Sequence, residues 1–254
     1  MSTPETLPGL LIRRADEDGS RVALREKEFG IWQELSWSEY RDRVRDFSLG
    51  LLALGLQPGD RIAIIGDNRP EWVIAELAAQ AAGAIPVGVY QDSVAEELRF
   101  LLEASGARVV VAEDQEQVDK VLDIIEHIPA IEHIVYHDAK GLNAYGDSRL
   151  RFFPEVEELG RALHLDEPTR FESGVAGLDP ETTALLCTTS GTTSRPKLAM
   201  LSHRNLLAMT TQIQAVDPVH LKDDYVSFLP LAWIGEQMIS VPWALTVGFA
   251  VSFP

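Results

Sequence analysis

The chain has 254 residues, of which 46% are hydrophobic and 24% are charged, a composition typical of a globular protein with a sizeable core. Its 39 acidic and 22 basic residues give a formal charge of −17, which repels a phosphodiester backbone, so nucleic acid is not expected as a partner. The single cysteine, Cys187, excludes an intramolecular disulfide and favours a reducing, cytoplasmic location.

No targeting or membrane-spanning segment is predicted. The N-terminal stretch lacks the basic start and apolar run of a signal peptide. The two most apolar stretches are interrupted by Glu76 and Pro86 and by Glu236 and Pro242, so neither reaches the roughly 20 consecutive apolar residues that a transmembrane helix needs.

The first half of the chain alternates between helix and strand patterns. Ser36 and Glu39 have capping-box spacing and open an amphipathic helix that ends before Gly55. Further helices are predicted over 70–82, after a cap at Ser93, and over 115–127; strands are predicted over 61–65, 84–89, 108–111 and 133–136. This alternation predicts an α/β fold with mainly parallel sheets flanked by helices.

The pattern weakens from residue 138 to residue 180, where one short helix is predicted near 154–163. This weak stretch predicts a boundary between two subdomains. Residues 1–180 are expected to form a first α/β subdomain with a trailing irregular segment, and residues 181–254 the first part of a second subdomain. A strand-like run over 248–253 comes just before Pro254, so the end of the chain is expected to be a cut rather than a natural terminus.

A hydroxyl-rich segment joins two predicted strands, 182–189 and 198–201. Gly191 allows close backbone approach to a ligand, and Lys197 adds a positive charge. Hydroxyls in this segment can donate to phosphate oxygens together with loop amides. The hydroxyl-bearing residues are Thr189, Ser190, Thr192, Thr193 and Ser194. The segment therefore predicts a loop that cradles a triphosphate.

Three other interpretations of this loop compete with a triphosphate cradle. Serine and threonine also serve tight surface turns that bind nothing. The G-x-x-x-x-G-K-[ST] phosphate loop, counted from Gly191, requires glycine where Pro196 stands and serine or threonine where Leu198 stands. A dinucleotide-binding domain is disfavoured because no G-x-G-x-x-G follows any predicted strand.

The segment from Thr189 to Lys197 resembles the signature T-S-G-T-T-G-x-P-K-G of the adenylate-forming, or AMP-binding, superfamily, which includes acyl-CoA synthetases, firefly luciferase and nonribosomal adenylation domains. Ser194 and Leu198 replace the two later glycines, and Thr188 stands where an aromatic residue is common. If the first of these glycines needs a positive φ, Ser194 would carry strain, which puts nucleotide affinity or turnover in question.

The resemblance extends over most of the chain. Residues 55–63 and 68–72 resemble the N-terminal strand and helix of the family, and residues 86–98 are similar to the branch that acts on long-chain or bulky acids. The segment from Phe228 to Gln237 resembles the part of the family that borders the acyl pocket. By this resemblance, Trp233, Ile234 and Gly235 are expected to contact the acid.

Several residues in this region also have plain structural interpretations. Trp233 is also interpretable as a core tryptophan, since aromatic residues serve packing more often than ligands. Glu236 and Gln237 are expected on the helix surface or at the pocket rim. Ser202 is expected to cap a helix whose first turn contains His203. No metal-ligating cluster is predicted among the histidines.

The resemblance implies a ligase that joins a carboxylic acid to coenzyme A with ATP and Mg²⁺, through an acyl-adenylate. In that reaction Lys197 is the expected catalytic residue, and it holds the β- and γ-phosphates together with hydroxyls of the loop, in a nucleotide-binding subdomain that starts at 181. The family's later motifs are not in this sequence, so the chain is expected to be the N-terminal part of the enzyme and to catalyse little alone. The alternative is a noncatalytic nucleotide- or partner-binding module of the same fold.

Overall fold

The computed structural model describes residues 5–189 and 197–254. The helices are α1 (Leu7–Asp18), α2 (Trp37–Ala53), α3 (Pro70–Ala81), α4 (Ala95–Ser105), α5 (Gln115–Asp123), α6 (Phe153–Asp166), α7 (Arg170–Ala176), α8 (His203–Val216), α9 (Ile234–Met238) and α10 (Ala244–Val247). The strands are β1 (Val22–Glu28), β2 (Ile31–Ser36), β3 (Arg61–Ile65), β4 (Ile85–Val89), β5 (Ala107–Ala112), β6 (His133–Tyr136), β7 (Leu150–Phe152), β8 (Thr183–Thr189), β9 (Lys197–Ser202), β10 (Asp224–Val226) and β11 (Ala250–Phe253). A 3₁₀ turn lies at Ile125–His127, and a π-helical turn lies at Ile239–Trp243.

A seven-stranded sheet in the order β7-β6-β5-β3-β4-β8-β9 forms the centre of the fold. Its pairs are parallel except for β8 with β9, which is antiparallel. Side chains alternate across β3: Ile62 and Ile64 join one hydrophobic cluster with α2 and α3, whereas Ala63 and Ile65 join a second cluster with α4 and α5. Both faces are therefore covered by helices, which confirms the predicted fold class.

A second sheet combines the two ends of the described chain. Its order is β10-β11-β1-β2, with parallel pairing of β10 with β11 and of β11 with β1, and antiparallel pairing of β1 with β2. Leu24 of β1 and Val251 of β11 are buried in the cluster that also contains α2 and α3. One continuous core thus connects the two sheets.

Several predicted boundaries are confirmed. The Ser36 hydroxyl accepts from the Glu39 amide, and the Glu39 carboxylate accepts from the Ser36 amide, which completes the capping box of α2. Strands β3 and β6 have the predicted bounds, and α3 begins at Pro70 as predicted.

The predicted cap of α4 is wrong. Val94 occupies the cap position, and the Ser93 side chain is buried with no hydrogen-bond partner among the described atoms. The stretch over 138–180 is also more regular than predicted, because it contains β7, α6 and α7. The packing of α6 against α2 stabilises a helix that its own periodicity only partly indicates.

Helices α2 and α6 cross at very short range. A Cβ on Gly160 would overlap the backbone carbonyl of Asp46 and would lie 2.7 Å from the backbone nitrogen of Gly50. A Cβ on Gly50 would in turn overlap the backbone of Val156. Each helix therefore needs a glycine at the crossing so that the two backbones can touch.

Each sheet contains strands from both sides of residue 180, since β8 pairs with β4 and β11 pairs with β1. The subdomain boundary at residue 180 stays a prediction. Within residues 5–189 and 197–254, no helix combines the length and apolar character that crossing a membrane requires.

Candidate functional site

The two ends of the predicted phosphate loop lie side by side on the β8–β9 hairpin. Thr189 is the register partner of Lys197, and the Thr189 hydroxyl donates to the Lys197 carbonyl oxygen over 3.3 Å. Both residues are exposed. The hairpin therefore presents the loop ends, with the Lys197 ammonium group, to solvent and to any ligand.

The other predicted loop residues, Ser190, Gly191, Thr192, Thr193 and Ser194, lie outside the described part of the chain. Their predicted roles stay predictions. Leu198, which replaces a glycine of the family signature, is half-buried and packs against the hydrophobic cluster of α4 and α5. The fold therefore accommodates this departure by packing the added side chain.

The predicted acid-binding segment lies beside the strand that leads into the loop. The backbone N–H of Ile234 donates to the Cys187 thiol, and burial raises the pKa of that thiol. Cys187 is two residues before Thr189 in β8. Ile234 therefore lies beside β8, the strand that ends at Thr189.

Trp233 stands at the cap position of α9 with its side chain 45% exposed. A Cβ on Gly235 would overlap the Trp233 indole ring, so the ring lies directly on this glycine. Ile234 is half-buried and packs against the core. Trp233 is thus an accessible aromatic surface rather than a core residue, and its contact with an acid stays a prediction.

A cleft of about 640 Å³ opens beside this segment, between the carboxyl ends of β3 and β4 and the residues before α9. Its walls are the stretches 66–69, 89–92 and 227–230, together with Ala232 and Pro254. Neither Lys197 nor Trp233 lines this cleft within the described residues. Ala232 connects the cleft wall to the exposed indole.

The expectation that Glu236 and Gln237 lie on the helix surface or at the pocket rim is wrong. Their relative exposures are 0% and 3%. Glu236 is enclosed by hydroxyl groups, and the Gln237 amide donates to the Leu231 carbonyl oxygen over 2.8 Å. Buried polar groups need protein hydrogen-bond partners because water is excluded. Glu236 and Gln237 therefore join neighbouring segments of the interior through hydrogen bonds.

A second buried carboxylate, Glu76 of α3, lies behind this segment. The Gln237 amide donates to Glu76 over 2.7 Å, and Gln80 donates to the Ala184 carbonyl oxygen of β8 over 3.0 Å and to Glu76 over 3.4 Å. Burial raises the pKa of Glu76 to about 7, although the bond from Gln237 lowers it. A polar path thus runs from β8 through α3 to the cleft wall.

His203 is the first residue of α8, as predicted, and Ser202 and Asn205 form a capping box. The imidazole is 2% exposed, and its Nδ1 accepts from the backbone N–H of Leu7 over 3.3 Å. Burial lowers the pKa of His203 to about 4. The side chain therefore acts as a neutral acceptor that joins α8 to α1.

At the end of β5, Glu113 closes the gap to the end of β3. Its carboxylate accepts from the Asp67 backbone N–H over 2.5 Å and from the Arg69 guanidinium over 2.9 Å. Arg69 also donates to Glu26 of β1 over 2.8 Å, which ties the two sheets together. Across the described part of the chain, no group of three or more His, Cys, Asp or Glu side chains is arranged to hold a metal ion.

Comparison with known proteins shows the family of this chain. The family model described as AMP-binding enzyme matches residues 11–254, and the chain belongs to that family. A relative named long-chain-fatty-acid–CoA ligase ACSBG2 from Rattus norvegicus is 30% identical over 256 residues, which are 99% of this chain and 38% of the relative. Long-chain-fatty-acid–CoA ligase FadD15 from Mycobacterium bovis is 30% identical over 250 residues, 96% of this chain and 40% of the relative.

Solved structures share the fold. A long-chain-fatty-acid–CoA ligase from Archaeoglobus fulgidus superimposes with a TM-score of 0.82 at 20% identity, covering 98% of this chain and 47% of that chain. The chain thus spans less than half the length of these relatives. The match to part of each relative is consistent with the predicted N-terminal portion of such an enzyme.

Proposed function

We propose that the full-length protein is an ATP-dependent acid:CoA ligase that activates a long-chain or bulky carboxylic acid. A carboxylate oxygen attacks the α-phosphorus of ATP, the bond from that phosphorus to the bridging oxygen breaks, and pyrophosphate leaves. The thiolate of coenzyme A then attacks the acyl carbon, and AMP leaves with the electron pair of the broken bond. A cytoplasmic location stays a prediction.

The observation that carries this proposal is the pairing of Thr189 with Lys197 on a hairpin whose sequence resembles the family signature apart from Ser194 and Leu198. Lys197 is exposed there, so its charge is free to attract the phosphates that pyrophosphate carries away. The nearby exposed ring of Trp233 provides an apolar surface for the acid. The long-chain-fatty-acid–CoA ligases among the relatives support the choice of substrate class.

Residues of this chain do most of their work by positioning and by charge. The Thr189 hydroxyl now donates to a backbone oxygen of Lys197, and in the proposed complex it turns towards a phosphate oxygen together with the loop hydroxyls of Ser190, Thr192 and Thr193. We assign no residue of the described chain to the Mg²⁺ that accompanies ATP, since no described cluster fits a metal ion.

The test is acid-dependent exchange of labelled pyrophosphate into ATP, measured on the full-length protein with palmitate, octanoate and benzoate. Lys197→Ala should lower the exchange rate by about 100-fold, because removal of one charged group at a transition state costs a few kcal/mol. Lys140→Ala is the matched control, since Lys140 is exposed on another loop. Nucleotide binding without any exchange would favour the noncatalytic binding module, and full exchange in Lys197→Ala would remove Lys197 from the proposal.

A further inference from the structure

The segment over 228–231 lies at the cleft and has irregular backbone, and side chains there bind the backbone groups that a strand ladder would otherwise satisfy. The Leu229 N–H donates to Glu236 over 3.3 Å, and the Leu229 carbonyl accepts from Asn68 over 2.6 Å. The Leu231 N–H donates to Asn68 over 2.9 Å, and the Leu231 carbonyl accepts from Gln237 over 2.8 Å. All four polar backbone groups of these two leucines are thus held by three side chains.

Glu236 holds this wall from the side of α9. Its carboxylate accepts from the hydroxyls of Tyr225 over 2.8 Å, Ser227 over 2.7 Å and Ser240 over 2.6 Å, in addition to the Leu229 amide. Four donors to a side chain that is 0% exposed satisfy a carboxylate, and bonds to a charged acceptor are stronger than neutral ones. Glu236 therefore fixes β10, the wall and the π-helical turn to one another.

Asn68 holds the same wall from the opposite side. It lies in the loop between β3 and α3, so it belongs to the seven-stranded sheet rather than to the sheet of β10. Its Nδ2 donates to the Ser227 hydroxyl over 2.8 Å and to the Leu229 carbonyl, while its Oδ1 accepts from Leu231. Both donors of the Asn68 amide group and its oxygen therefore bind this one segment.

The held segment faces the cleft. Ser227, Phe228, Leu229, Pro230 and Ala232 line the cleft, and Trp233 follows directly. The Phe228 side chain is 69% exposed, so it contributes open apolar surface rather than core packing. Because residues 228–231 are not part of a strand ladder, the position of this apolar wall depends on the side chains that bind its backbone.

We propose that Asn68 and Glu236 are positioning residues that set the wall of the acid pocket and thereby the affinity for the acid. The inference rests on the proposed ligase function, because it assigns the cleft wall to the acid. The hydrogen bonds of Asn68 and Glu236 go to residues 225–231 and 240 and not to Thr189 or Lys197, the described ends of the predicted loop, so we expect the affinity for ATP to depend less on these two residues. Loss of the hydrogen bonds of either Asn68 or Glu236 makes this wall more mobile, whereas the hairpin that carries Lys197 stays in place.

The kinetic test uses the full-length protein with Asn68→Asp and Glu236→Gln. Asn68→Asp keeps the acceptor for the Leu231 N–H and loses both donors, whereas Glu236→Gln loses the charge at nearly constant volume. In each variant the KM for palmitate should rise about tenfold, because loss of one buried hydrogen bond of this kind has about that effect. The KM for ATP should change less than about twofold. Asn143→Asp and Glu126→Gln, both at exposed positions, are the matched controls.

Amide hydrogen exchange at Leu229 and Leu231 provides a readout that does not depend on activity. Both amides should exchange about tenfold faster in the two variants than in the wild type, with the amides of β3 unchanged. Unchanged protection at both leucines in folded variants, or equal losses for palmitate and ATP, would overturn the positioning role. If the wild type shows no exchange of pyrophosphate into ATP, the ligase proposal is contradicted. Amide hydrogen exchange would still decide whether Asn68 and Glu236 hold the backbone of Leu229 and Leu231.

Discussion

The side-chain amide of Gln237 donates to the Glu76 carboxylate over 2.7 Å, with both side chains almost fully buried. Gln237 also holds the carbonyl oxygen of Leu231, so the Glu76 carboxylate indirectly supports the cleft wall. Burial raises the pKa of Glu76 to about 7, which places its ionisation within the range in which proteins are usually handled. Stability and pH are therefore coupled at this pair.

Glu76→Gln should flatten part of the pH dependence of stability. The folded chain holds the proton of Glu76 up to about pH 7, whereas the unfolded chain releases it near 4.5, so the free energy of unfolding falls as pH rises between these values. The loss from this group amounts to about 3 kcal/mol at 1.36 kcal/mol per pKa unit. Urea unfolding of wild type and variant at about pH 5 and about pH 8 measures it.

The amide that replaces the carboxyl group in Glu76→Gln cannot ionise, so this variant should gain stability relative to the wild type as pH rises across this window. Glu126→Gln, at an exposed position, should run parallel to the wild type. A constant difference between Glu76→Gln and the wild type at both pH values would contradict a raised pKa for Glu76.

His203→Gln should reduce acid destabilisation. The pKa of His203 is lowered to about 4 from 6.5, so the unfolded chain binds a proton that the folded chain refuses, and stability is lost as pH falls from 6.5 towards 4. The loss from this group is about 3 kcal/mol. Glutamine can still accept from the Leu7 N–H but does not titrate, so the difference between variant and wild type isolates the imidazole.

Unfolding followed by circular dichroism in urea at about pH 6.5 and about pH 4.5 checks this expectation. His220→Gln is the control, because His220 is exposed. If His220→Gln protected against acid as strongly as His203→Gln, burial of His203 would not be the cause.

Gly160→Ala should destabilise the protein by about 2 to 3 kcal/mol, because the added methyl group meets the backbone of α2 and neither backbone can move aside without separating the helices. Gly174→Ala is the matched control within α7, where a Cβ meets nothing closer than the Ala81 carbonyl oxygen at 3.9 Å. That control should gain about 0.5 to 1 kcal/mol from helix propensity. Thermal unfolding of the two variants measures both changes in stability. Similar changes for Gly160→Ala and Gly174→Ala would contradict a close crossing of α2 and α6.

The sequence predicts the elements whose local signals and tertiary packing agree. Ser36 with Glu39 specifies the start of α2, and the apolar run over 62–65 specifies a strand buried on both faces. Helix α6 is only partly predicted, because Gly160 weakens its helical signal while permitting the contact with α2 that stabilises it. Ser93 has the spacing of a cap, but its side chain is buried in the interior instead.

The site divides in the same way. Thr189, Lys197 and Trp233 are named by sequence motifs and are exposed, and their binding roles stay predictions. The burial of Glu236 could not be predicted, because an acidic residue in an apolar stretch is expected near water unless its hydrogen-bond partners are known. One signal is present: Tyr225 and Ser227 alternate as in an extended segment, which places their hydroxyl groups on one face towards the same carboxylate.

The Glu113 carboxylate occupies the gap between the carboxyl ends of β3 and β5 in the seven-stranded sheet. In open parallel sheets the gap where neighbouring loops leave towards opposite faces is a common landing place for anionic ligands. The strands β4-β3-β5-β6-β7 have such a divergence between β3 and β5, and there the protein inserts its own carboxylate beneath the Asp67 amide and the Arg69 guanidinium. The chain thereby satisfies the polar groups at this divergence with a carboxylate of its own.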